Sequence, residues 1–123
     1  MERYKQRVFG QKRGSCLKTC VACILDIPMS KVPNFNAYGS GWWGVLWRWF
    51  KKQGYSVLVP AYDKKLVPKN KPYIVTGISP RGNFMHAVIY KNFKPYHDPH
   101  PDNTFIEGSP LYIYVIKKLK NNV

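Results

Sequence analysis

Three side chains in this sequence have the types and the spacing of an acyl-transfer centre. Cys16 stands in Gly14-Ser15-Cys16-Leu17-Lys18-Thr19-Cys20-Val21, at the start of a helical pattern. His86 stands in Met85-His86-Ala87-Val88-Ile89-Tyr90, a strand pattern, and Asp98 follows in His97-Asp98-Pro99. The first turn of a helix has unpaired backbone N–H groups and positive potential, so a thiol there ionises more readily. An imidazole completes the activation, and a carboxylate orients that imidazole. Cys16, His86 and Asp98 supply those three roles, and the chemistry is attack of a thiolate on an acyl carbon through a thioester.

The same residues admit other uses. Cys16, Cys20 and Cys23 have the spacing C-x3-C-x2-C, which holds an iron–sulfur cluster in radical enzymes that use S-adenosylmethionine. Those enzymes need a large partial barrel, which a chain of 123 residues cannot build. A zinc site would recruit His97 or His100, yet zinc cysteines usually sit in paired C-x2-C knuckles on turns. Positions i, i+4 and i+7 share one helix face, and buried free cysteine behaves as a small hydrophobe, which accounts for Cys20 and Cys23. Neither a metal nor a cofactor is therefore expected. His97 and His100 compete with His86 for the role of base, but they sit in a Pro-rich turn with less defined orientation.

The elements that position these groups follow from periodicity. Cys16, Cys20, Cys23, Ile24 and Ile27 recur at helical spacing, with Ser15 a suitable N-cap and Pro28 the stop. A short turn at 30–35 and a loop over 36–41 precede a second helix from about Trp42 to Gln53, ended by Gly54. Its aromatic residues Trp42, Trp43, Trp47, Trp49 and Phe50 go most of the way around the helix, which predicts that most are buried and one or two line a groove. Strands are predicted over 55–59, 73–78, 84–90 and 111–116, with a turn at 79–83, a polar connector over 60–71 and a further strand starting at Tyr96-His97-Asp98. Residues 1–13 read as an extended or loosely ordered lead-in. The order predicts an α+β domain with N-terminal helices on one side of an antiparallel meander.

Length predicts one domain over 1–123, large enough for a core without covalent staples. No apolar run approaches the roughly 18–20 residues of a membrane span, and Met1-Glu2-Arg3-Tyr4-Lys5 lacks the apolar core of a secretory signal. Three cysteines argue against a disulfide framework, and a reducing compartment keeps a thiol usable, so a cytoplasmic protein is expected. Twenty Lys and Arg against six Asp and Glu give a formal net charge of +14. Such an excess either solubilises or attracts polyanions: nucleic acid, anionic headgroups or an acidic protein. The charges are scattered and no nucleic-acid motif accompanies them, so the first expectation is a peptide or protein substrate, an acidic one included. The rival expectation is an inactive basic module that binds nucleic acid or an acidic partner through exposed aromatics near Asn36–Trp43. Nothing in the sequence specifies an oligomeric state.

By these residues the chain resembles the papain-like cysteine peptidase superfamily, in particular its compact branch of bacteriocin-leader (double-glycine) peptidases and small proteins of bacterial and phage genomes. Gly14-Ser15-Cys16-Leu17-Lys18-Thr19-Cys20-Val21 resembles the branch's nucleophile helix, Met85-His86-Ala87-Val88 its histidine strand and His97-Asp98-Pro99 its Asp-Pro segment. The resemblance implies a papain-like fold, Cys16 as nucleophile, Cys20 as its packing cysteine, and an amide or related acyl bond as target. It further implies Gln11 as oxyanion donor, with the backbone N–H of Cys16 as partner.

Overall fold

The computed structural model of the chain describes residues 1–7, 9 and 15–119. Gln11 and most of the segment 8–14 lie outside the described residues. Helix α1 spans Cys16–Leu25 and helix α2 Trp42–Lys52. Six strands follow: β1 Tyr55–Leu58, β2 Tyr73–Ile78, β3 Met85–Lys91, β4 Lys94–His97, β5 Glu107–Ile113 and β6 Val115–Lys118. The architecture is α+β, with antiparallel pairing throughout.

Helix α1 ends two residues before the predicted Ile27. Asp26 turns into the left-handed conformation (φ 53°), its N–H bonds Cys23 O, and the Ile27 N–H bonds Ala22 O. That pair of bonds is a Schellman stop made without glycine, ahead of Pro28. Ser15 precedes the helix, but its hydroxyl makes no capping bond; its carbonyl instead accepts the Thr19 N–H and hydroxyl at 2.9 and 2.7 Å. Between the helices, residues 35–41 coil as 3-10 turns, not the loop expected over 36–41, broken at Gly39 (φ 57°, ψ −130°), a conformation open only to glycine. Helix α2 ends close to where its sequence predicts, and Gly54 takes φ 89° just beyond it.

The strands do not form a single meander. β4, β3 and β2 run in sequence order across a four-stranded sheet, and β5 then returns to the other edge of β2. β1 pairs with β6 in a separate ribbon. The predicted last strand, 111–116, is therefore split at Tyr114, whose N–H bonds Ile74 O as the chain leaves one sheet for the other.

The helices pack on one face of the four-stranded sheet, and connector and loop residues cover the other. Ile74, Ala87, Ile89 and Tyr114 join the helix-side core with Cys20, Val21, Leu46 and Phe50. Val75, Val88, Tyr90 and Ile113, one step out of phase, join a second cluster closed by Tyr62, Val67, Phe105 and Ile106. Burial on both faces explains why β3 reads as a nearly continuous apolar run. The aromatic residues of α2 divide differently from the expectation: Phe50 is fully buried, Trp42 and Trp49 are half-buried, and Trp43 and Trp47 are exposed. The helix covers a short ribbon and a 3-10 turn, too little surface to bury every face of it.

The start of the chain is tied down. Gln6 N–H donates to Pro99 O (2.9 Å), Tyr4 O accepts from His97 Nε2 (2.6 Å), and Lys5 Nζ reaches Asp98 O (2.9 Å), His100 O (3.3 Å) and Asn103 Oδ1 (2.6 Å). Residues 4–6 thus form an ordered strap along the segment that follows β4, within a lead-in expected to be extended or loosely ordered.

Candidate active site

Cys16 occupies the first turn of α1, and α1 lies against β3 and β2. The helix start is thereby brought to His86, near the beginning of β3. Asp98 follows β4 directly. The hairpin that carries it turns at Asn92 and Phe93, both with positive φ, as a two-residue turn with matching twist requires. That turn pairs Lys91 with Lys94 and Tyr90 with Pro95; a one-residue register shift then sets Ile89 opposite His97 and brings Asp98 back alongside the histidine strand.

The result is a buried relay. His86 Nε2 lies 2.7 Å from Asp98 Oδ1, with His86 only 2% exposed and Asp98 fully buried. Asp98 Oδ1 also accepts the His100 N–H (2.9 Å), and Oδ2 accepts the Phe105 N–H (2.8 Å). Burial alone would raise this carboxyl, but the His86 bond and the two backbone N–H groups outweigh it and hold the group below the ordinary carboxylate value. A carboxylate that only accepts requires His86 Nε2 to carry the hydrogen, leaving Nδ1 for the thiol.

Cys16 and His86 line the same cavity, and the imidazole is the leading influence that favours the ionised thiol. Burial pushes its thiol up; the bond and charge of His86, with backbone N–H groups of Ala87 and Leu17, more than reverse that and lower it below the usual thiol value. For His86, burial pulls down while the bonds to Asp98 and Cys16 raise it, to about 9. The thiol is thus shifted down and the ring beside it up. The other two cysteines go the opposite way: Cys20 is driven well above the ordinary value by burial and Cys23 to about 11. All three are free.

Phe105 adopts φ 61°, a costly conformation for an aromatic residue, and its N–H is one of the two aimed at Asp98. The loop behind it is latched by Arg81 Nη1, which reaches both Asp102 oxygens (3.1 and 3.2 Å) and the Thr104 hydroxyl (3.1 Å).

Neither competing histidine is bonded to the Asp98 carboxylate through its ring, as His86 is. His97 is a buried β4 residue bonded to Tyr4 O, not a loosely oriented turn residue, and burial lowers its pKa. His100 lies at the edge of the Cys16 cavity, its ring edge-on to that of His86 with centroids 6.4 Å apart, and its Nδ1 accepts the Asp102 N–H at 3.2 Å. Among the described residues no group of three or more His, Cys, Asp or Glu is arranged to hold a metal ion.

Two hollows meet at Cys16. A cavity of about 190 Å³ is lined by Cys16, His86, Gln6, Phe9, Arg81 and His100, among others. A groove of about 760 Å³ runs the other way, over Leu17, Trp42, Trp43, Ala87, Tyr112 and Tyr114. Met85 borders both. Sequence reasoning missed Gln6, Arg81 and the groove aromatics Tyr112 and Tyr114. Gln6 carried one available signal, a second glutamine upstream of Cys16; the rest depend on how the β5 and 98–106 segments fold back.

Comparison with protein-family models, with curated proteins and with solved structures finds no match for this chain. No helix among the described residues is long and apolar enough to cross a membrane.

Proposed function

We propose that this protein is a cysteine hydrolase of papain-like design, a peptidase or amidase. The observation that carries it is the buried His86–Asp98 pair, 2.7 Å apart, at a cavity that Cys16 also lines from the first turn of α1. Cys16 is the nucleophile, His86 the base and then the acid, and Asp98 the group that orients the ring and stabilises its charged form. The backbone N–H of Cys16, in the first turn and outside the helical hydrogen-bond ladder, suits an oxyanion donor. Gln11 falls outside the described residues, and Gln6, which lines the cavity beside Cys16 and His86, suits the second donor at least as well.

Intact-mass analysis after brief treatment with iodoacetamide near neutral pH tests the assignment. Single labelling at Cys16, lost in Cys16→Ala, is the expected result; labelling at Cys20 or Cys23 with Cys16 inert would overturn it.

A second reading, a basic module for nucleic acid or an acidic partner, draws on exposed Tyr38, Trp43 and Trp47, with Lys51 Nζ 4.9 Å above the Trp47 ring, on a chain of net charge +14. Titration of a fluorescent oligonucleotide at low salt separates the two; absence of binding removes this reading.

A further inference from the structure

The two hollows at Cys16 differ in size and in which of them contains His86. Resting on the proposed hydrolase reading, we infer that the substrate presents a bulky apolar or aromatic group on the acyl side of its scissile amide, and a small amine as leaving group.

Orientation follows from the proton. In acylation the Cys16 sulfur bonds the carbonyl carbon, the C–N bond breaks, and the proton on His86 passes to the departing nitrogen. Water then attacks the thioester, gives a proton to His86 and releases the acid together with the free thiolate. The leaving nitrogen must therefore lie on the His86 side of the sulfur. His86 lines the smaller cavity and not the groove, so the amine occupies the cavity and the acyl group the groove.

Size and chemistry follow from the walls. A cavity of about 150 Å³ holds a benzene-sized group, and the one beside His86 measures about 190 Å³. Phe9 and Phe84 flank it, and the Arg81 guanidinium at its edge is engaged by Asp102, so room and not charge sets the limit. The groove is four times larger, at about 760 Å³, and its walls are apolar and aromatic. Trp43, Met85 and Tyr112 are 38%, 43% and 45% exposed there. Exposed apolar side chains gathered beside a nucleophile favour a large apolar occupant.

Matched peptidyl acyloxymethyl ketones, differing only in Gly or Phe next to the ketone, test the acyl side by intact-mass labelling rates, with iodoacetamide as internal standard. The Phe probe should label Cys16 at least about tenfold faster. Trp43→Ala should bring the Phe:Gly ratio toward one, while Trp47→Ala, on the same helix but outside the groove, should keep it. Hydrolysis of N-acyl-phenylalanyl amides should fall by about tenfold or more from a glycinamide to a valinamide leaving group. Equal or faster labelling by the Gly probe, a ratio indifferent to Trp43→Ala, or a preference for valinamide overturns the inference while leaving the hydrolase reading intact. Failure of iodoacetamide to alkylate Cys16 defeats the hydrolase reading itself, and the inference with it.

Discussion

At the scale of single residues, the pairing of a lowered thiol with a raised imidazole is a statement about protons that can be titrated. The ultraviolet thiolate absorbance of Cys16 should rise with a midpoint below the ordinary 9.0. In His86→Gln the partner is gone and burial acts with less opposition, so the midpoint should move up; no movement would mean that His86 does not set it. Asp98→Asn should lower turnover on the order of 10³–10⁴-fold, because an amide cannot stabilise the imidazolium and can favour the wrong tautomer. Its stability signature has a definite sign. The folded carboxyl lies below its usual 3.8, so it contributes stability above that pH and loses it as pH falls through the depressed value. The acid limb of the urea midpoint should therefore flatten in Asp98→Asn. A substitution that left both turnover and acid limb intact would remove Asp98 from the site. His97→Gln, by contrast, changes a group held by Tyr4 and should spare turnover.

At the scale of elements, Gly77 connects the sheet to the site. It pairs with His86 across β2 and β3, and a Cβ there would lie 2.8 Å from Ile106 Cδ1 and 3.2 Å from its Cβ. Ile106 follows Phe105, whose N–H holds Asp98. Gly77→Ala should cost about 1–3 kcal/mol in urea unfolding and reduce turnover beyond what a surface substitution does. Unchanged stability would show that the 98–106 loop yields freely. The strands around this point were legible in the sequence because they are short, β-branched and bounded by turn residues, and β2 falls where its pattern predicts. The candidate site was legible for a related reason: Cys16, His86 and Asp98 each sit at an element terminus or in an ordered strand that local pattern fixes. The split at Tyr114, the return of β5 to β2 and the strap at residues 4–6 were not legible. Each depends on which distant edge is open, which periodicity does not encode. Trp43 lines the groove, as one or two of these aromatics were expected to; the exposure of Trp47 was not legible, because helix amphipathicity gives a helix's apolar face without saying how much partner surface exists.

At the scale of the whole molecule, twenty cationic side chains face six anionic ones on a domain of 123 residues. Few of the cations are neutralised by ion pairs among the described residues; Arg81 with Asp102 is the clearest side-chain pair. Self-repulsion of this kind opposes the compact state and is screened at a Debye length of about 10 Å in 0.1 M salt. The thermal midpoint should therefore rise with added salt, on the order of 5 °C for about 1 kcal/mol of relieved repulsion. A midpoint that fell with salt would mean that attractive surface pairs outweigh the excess charge.

The Asn92-Phe93 turn also bears on the order in which the molecule assembles. His86 and Asp98 are twelve positions apart and meet through a single hairpin, whereas Cys16 must arrive from the far end of the sheet sequence. Loop closure favours the short connection, so the His86–Asp98 pair is expected to form first and the Cys16 helix to dock onto it later. Phe93 bears a left-handed backbone (φ 66°) on an exposed side chain, and glycine there would remove about 1 kcal/mol of backbone strain. If the hairpin belongs to the folding nucleus, Phe93→Gly accelerates refolding in stopped-flow mixing and leaves the unfolding rate nearly unchanged. A gain confined to the unfolding limb would place the hairpin after the rate-limiting barrier, with helix docking first.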